Sequence, residues 1–141
     1  NQAVEPAKLT PDSLLQFTTD DLRHIGISRQ KAGYLFDLAE KVDSEQLKLS
    51  SLARKDDQTV IHELTQVKGI GVWTAQMFLM FSLARLDVFP VDDLGIRNAI
   101  QKAYRTDQDL NRQELLEMSQ SWRPYATVAS WYLWRSLDLQ D

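Results

Sequence analysis

The chain has 141 residues, of which 43% are apolar, carries a formal net charge of −4 and contains no cysteine. This length and apolar content fit one globular domain or part of one and exclude a disordered chain. Without cysteine there are no disulfides, thiolate metal sites or iron–sulfur clusters, and two histidines, His24 and His62, are too few for a histidine-rich metal site. No apolar run approaches the roughly 18 residues that cross a bilayer, and the N-terminal residues lack the pattern of a signal peptide. A cytosolic (bacterial nucleoid) or nuclear location is expected. The acidic balance argues against a broad basic surface, so any nucleic-acid binding must come from local donors.

In chain order the pattern is helical throughout, with few strand signals. Residues 1–8 read as a tail or linker. Thr10 and Pro11 open a short helix with Leu14, Leu15 and Phe17. Thr18 and Asp21 form a capping box for a helix with Leu22 and Ile25, which Gly26 stops. Ser28 caps the next, whose Ala32, Leu35, Phe36 and Ala39 recur at helical spacing. A short helix is expected around Leu47 to Leu52. Asp57 or Thr59 then caps a helix with Val60, Ile61 and Leu64, which Gly69 and Gly71 are expected to end. Trp73, Met77, Phe78 and Phe81 mark a strongly apolar helix. Beyond Pro90 another begins at Asp92 or Asp93 and carries Ile96, Ile100 and Tyr104. Asn111 and Glu114 cap a helix with Leu115, Leu116 and Met118. The last helix is aromatic, with Trp131, Tyr132 and Trp134 after Tyr125. Gly26-Ile27 precedes Ala32 as Gly69-Ile70 precedes Ala75, which reads as duplication or as a common helix–helix connection.

Two stretches carry chemistry. In Val67-Lys68-Gly69-Ile70-Gly71-Val72-Trp73-Thr74-Ala75 a tight glycine turn runs into a helix N-terminus. Glycine permits positive φ and close backbone approach, and Ile70 is expected to anchor the turn. The first amides of the next helix lack partners and, with the helix dipole, bind anions such as phosphate; Lys68 adds charge nearby. A plain helix–helix turn remains the competing reading. The second stretch is Asp92-Asp93, after Val88-Phe89-Pro90-Val91. One carboxylate should be an N-cap. If Asp92 caps, Asp93 is free to face the preceding loop. There it can stabilise a cation that forms on deoxyribose as a base departs, and can orient the attacking water.

At these residues the chain resembles the helix-hairpin-helix (HhH-GPD) DNA glycosylase superfamily, in its 3-methyladenine DNA glycosylase II branch. The resembling segments run from Val67 to Phe78, from Asp87 to Arg97, and from Trp122-Arg123-Pro124-Tyr125 to Ser130-Trp131-Tyr132-Leu133-Trp134-Arg135. Similarity extends from about Leu9 to the end. The resemblance implies an all-α orthogonal helical bundle, with 9–141 as the C-terminal portion of a glycosylase whose upstream helices are missing. Such a portion is expected to be inactive alone or to self-associate through the uncovered face.

The resemblance places the catalytic aspartate at Asp93 and leaves Asp92 as its cap. It maps phosphate-holding amides to Gly69, Gly71 and Thr74, beside Lys68, and the carbonyls that hold a monovalent cation to Thr65, Val67 and Ile70. No other cofactor is implied. The base pocket maps to Trp73, Met77 and Trp131, whose indoles suit a cationic alkylated purine. Tyr132 and Trp134 are read as core. Strand-nicking relatives carry lysine where this chain has Trp73, which has no nucleophilic amine. The implied activity is monofunctional base-excision hydrolysis of alkylated purines, such as 3-methyladenine, in double-stranded DNA. The alternatives are the same fold acting on uracil or another deaminated base, a non-catalytic helix-hairpin-helix DNA-binding module, and an all-α interaction domain.

Overall fold

The computed structural model describes residues 9–104 and 110–139; the expected tail, 1–8, lies outside them. The chain divides into two compact units at the Gly71–Val72 boundary. All regular structure among the described residues is helical.

The first unit contains α1 (Pro11–Leu15), α2 (Thr19–His24), α3 (Arg29–Asp43), α4 (Leu49–Leu52) and α5 (Asp57–Leu64). The caps read from sequence at Thr10, Thr18 and Ser28 all form, each side chain accepting an amide N–H three residues on. Such a cap contributes about 1 kcal/mol. Gly26 takes φ +91°. The Gly26 and Ile27 amides then close onto the Arg23 and Leu22 carbonyls, both at 3.0 Å, ending α2 in a Schellman turn. Leu14, Leu22, Ala32 and Ala39 form the core, with Leu15, Ile27, Leu35 and Phe36 against it. Phe17 and Ile25 lie just past their helices and are exposed, because the turns carry them off the core-facing stripe.

Two boundaries differ from expectation. Asp56, not Asp57 or Thr59, caps α5. Its extended backbone lets the carboxylate accept the Thr59 amide at 2.9 Å and the Thr59 hydroxyl at 2.7 Å. Gly69 and Gly71 do not end α5, which closes at Leu64 with Thr65 as C-cap. The chain first buries Val67 before it turns.

The second unit contains α6 (Val72–Phe81), α7 (Leu94–Tyr104), α8 (Arg112–Ser119), a 3₁₀ turn at Gln120–Trp122 and α9 (Ala126–Leu137). Its core is Val91, Ile96, Ile100 and Leu115, flanked by Phe89, Trp122, Leu133 and Trp134. Asn111 and Glu114 form the expected capping box of α8. The Thr127 hydroxyl donates to the Arg85 carbonyl at 2.7 Å and accepts the Val88 amide at 3.0 Å, tying the segment before α7 to α9. That tie sets where Pro90, Val91 and the carboxylates after them enter α7.

Candidate active site

Pro90 and Val91 are buried, and the chain reverses there, with the Asp93 amide donating to the Pro90 carbonyl at 2.9 Å. Asp92 occupies the third position of this turn, so the first residue able to start the helix is Asp93. Its carbonyl accepts the Arg97 amide at 3.1 Å, and its Oδ1 accepts the Ile96 amide at 2.8 Å. The N-cap of α7 is therefore Asp93, and the expectation that Asp92 caps it is corrected. Asp92 is exposed and pairs with Arg112 at 3.3 Å.

Two indoles complete the carboxylate's surroundings. Trp73, in the first turn of α6, donates Nε1–H to Oδ2 at 2.7 Å. Trp134, on α9, donates Nε1–H to Oδ1 at 2.8 Å. Gly95 admits this approach: a Cβ there would stand 3.1 Å from Asp93 Oδ1 and 3.1 Å from Trp134 Cδ1. Burial pushes the Asp93 carboxyl upward. The N–H groups of Trp134, Ile96, Trp73 and Gly95 together outweigh it and hold the group below the usual carboxylate range. Asp93 is ionised at neutral pH.

The expected pocket residues divide. Trp73 is 49% exposed, with its N–H committed to Asp93. Met77 is half-buried four residues on, along the same face of α6. Trp131 is half-exposed on α9, its ring edge-on to Tyr132 at 5.2 Å. The core reading of Tyr132 is corrected, since it is 65% exposed. That of Trp134 holds for its ring, half-buried against the core cluster, while its N–H belongs to the carboxylate site. A half-buried indole needs an acceptor, and a glycine two residues after an aspartate was the available signal.

The hairpin lies in the first unit. Gly69 takes φ +84°, and a Cβ on it would collide with the ring of Tyr34 on α3. Gly71 has no positive φ and no close neighbour for a Cβ, so only the first glycine of the pair is demanded by the turn. Val67, 2% exposed, anchors the turn, whereas Ile70, the expected anchor, is only half-buried.

Asp37, one turn along α3 from Tyr34, is 7% exposed and was not singled out from sequence. Its Oδ2 accepts the Lys68 amide at 2.8 Å, and Lys41 Nζ lies 2.8 Å from each oxygen. The Lys41 ammonium and the Lys68 amide hold the Asp37 carboxyl below its usual range. Lys68 thus has its amide tied inward while its side chain is 78% exposed, with Nζ 3.8 Å from Asp37. Thr74 is exposed in the first turn of α6. The Thr65, Val67 and Ile70 carbonyls follow the C-terminus of α5. That of Val67 also accepts the Ile70 amide at 3.1 Å. Among the described residues no three His, Asp or Glu side chains cluster as a metal site.

Comparison with known proteins gives the family. The model of the HhH-GPD superfamily of base excision DNA repair proteins matches residues 2–124. DNA-3-methyladenine glycosylase 1 of Schizosaccharomyces pombe is 37% identical over 94% of this chain, which spans 58% of it. The solved Schizosaccharomyces pombe 3-methyladenine DNA glycosylase, in complex with abasic DNA, superposes with a TM-score of 0.83 at 36% identity, covering 92% of this chain and 64% of that one. A DNA-3-methyladenine glycosidase from Bacillus halodurans gives a TM-score of 0.83 at 38% identity, covering 92% and 60%. The chain therefore spans less than two thirds of these relatives' lengths. On this shared fold and pattern, the chain belongs to the HhH-GPD superfamily of base excision DNA repair proteins.

Proposed function

We propose that the chain supplies the carboxylate, base pocket and hairpin of a monofunctional DNA glycosylase that hydrolyses the N-glycosidic bond of alkylated purines such as 3-methyladenine in duplex DNA. The observation that carries this reading is the Asp93 carboxylate held by two indole N–H groups and a helix amide. As the C1′–N bond breaks, its electron pair leaves with the base and positive charge develops on the sugar. At about 4 Å and an effective dielectric near 20, a fixed carboxylate attracts that charge by about 4 kcal/mol. Water then adds to C1′ and releases a proton to solvent.

An ionised Asp93 has no proton to give a departing base. The N–H donors that hold the Asp93 carboxyl low keep it in that form. This favours substrates that need no general acid, and a purine made cationic by alkylation leaves as a neutral base. Trp73, Met77 and Trp131 form the pocket walls, with cation–π attraction of about 0.5–2 kcal/mol available to each indole. Trp73 offers no amine for a Schiff base, so water is the nucleophile.

Lys68 and the amides of Gly69, Gly71 and Thr74 hold DNA phosphate without sequence preference. The Thr65, Val67 and Ile70 carbonyls suit a monovalent cation, since they follow a helix C-terminus and the Val67 oxygen keeps a second lone pair. A cation there offsets the acidic net charge of −4. Self-association belongs to the same reading and is read out by sedimentation. The deciding experiment is release of 3-methyladenine from methylated duplex DNA by wild-type and Asp93→Asn proteins in the full-length context. Absence of release by wild type would remove the reading.

A further inference from the structure

We propose that Trp134 is a positioning residue, which together with Gly95 occupies one oxygen of Asp93 and leaves the other to face the sugar. The inference rests on the glycosylase reading of Asp93. A carboxylate oxygen has two lone pairs. Oδ1 accepts the Ile96 amide and the Trp134 indole, both at 2.8 Å, and is filled. Oδ2 accepts Trp73 at 2.7 Å, and the Gly95 N–H is a weaker fourth donor to the carboxylate. Oδ2 carries one short hydrogen bond against two on Oδ1, so it is the oxygen that can take a water or meet a cationic sugar at least loss.

The fold holds this assignment from three sides. Ile96 is fully buried, so the amide that binds Oδ1 has no freedom to follow a rotating carboxylate. Trp134 stacks on Phe81, with centroids 6.1 Å apart and planes 28° apart, which fixes the indole edge toward Asp93. Gly95 completes the fit, because a Cβ would lie 3.3 Å from Trp134 Nε1 and as close as 3.1 Å to Oδ1. A side chain there would wedge between donor and acceptor. The charged neighbours are otherwise engaged: Asp92 with Arg112, Arg97 with the Leu110 carbonyl at 3.3 Å, and Arg135 with Asp138. Helix α6 carries no ionisable side chain.

The test uses Trp134→Phe, which keeps a ring against Phe81 and removes the N–H, and Gly95→Ala, which reaches the same bond from the other side. Single-turnover base release from methylated duplex is followed against pH in the full-length context. Both variants should release base roughly ten- to a hundredfold more slowly at pH 7, the range expected when a reacting group is misplaced. The acid limb of the Trp134→Phe profile should move to higher pH, with affinity for abasic DNA unchanged. Folding is checked by melting temperature, and Gly95→Ala serves alone if Trp134→Phe does not fold. If Asp93→Asn abolishes release while these variants keep the wild-type rate and acid limb, the positioning role is wrong and the glycosylase reading stands. If Asp93→Asn retains full release, the glycosylase role of Asp93 itself fails.

Discussion

Replacing Asp93 by Asn separates charge from shape. Asn keeps an oxygen that can cap the Ile96 amide and accept Trp134. It places an amide NH₂ where Oδ2 now accepts the Trp73 indole at 2.7 Å. Two donors then face each other. Trp73 is 49% exposed and can turn its N–H to water, so the structural penalty stays near the low end, about 1 kcal/mol. The electrostatic loss is larger. Removing a unit charge about 4 Å from the developing cation forfeits about 4 kcal/mol at an effective dielectric near 20. This corresponds to about three decades in rate. Single-turnover release of 3-methyladenine from methylated duplex, read beside thermal denaturation, should show a small stability loss with a rate fall of about a thousandfold. A folded Asn variant that releases base at the wild-type rate would refute the electrostatic argument.

The hairpin and the carboxylates give further expectations. Gly69→Ala forces a Cβ into the Tyr34 ring at φ +84° and should lower stability by more than the roughly 1–2 kcal/mol that αL backbone alone costs; thermal melting reads this. Asp37→Ala frees the Lys68 amide and leaves Lys41 unpaired, and should lower both melting temperature and affinity for abasic DNA. Because the folded Asp37 carboxyl lies below its usual value, its stabilising contribution is fully present above the unfolded pKa of about 3.9 and is lost as pH falls through the folded one. The gap in stability between wild type and Asp37→Ala should therefore close below about pH 4. Borohydride treatment during turnover should trap no covalent DNA adduct, since Trp73 presents an indole and no amine; an adduct would contradict hydrolysis by water.

The helical class, most caps and the two glycine turns are legible in the residues alone. These depend on side chains three or four residues apart and on φ preferences, which are local. Thus Thr10, Thr18, Ser28 and Asn111 cap as read, and Gly26 and Gly69 both adopt positive φ ahead of the fully buried Ala32 and Ala75. The resemblance singles out Asp93, whereas the local reasoning that frees it by giving the cap to Asp92 fails. The surroundings of Asp93 were not legible. Which aspartate caps α7 was decided by the turn from buried Pro90, which consumes Asp92. Trp134 reaches Asp93 from 41 residues away, and Asp37 reaches the Lys68 amide from 31. No periodicity encodes such meetings. They follow from helix packing, which brings a buried donor and acceptor together because each would be costly to leave unpaired.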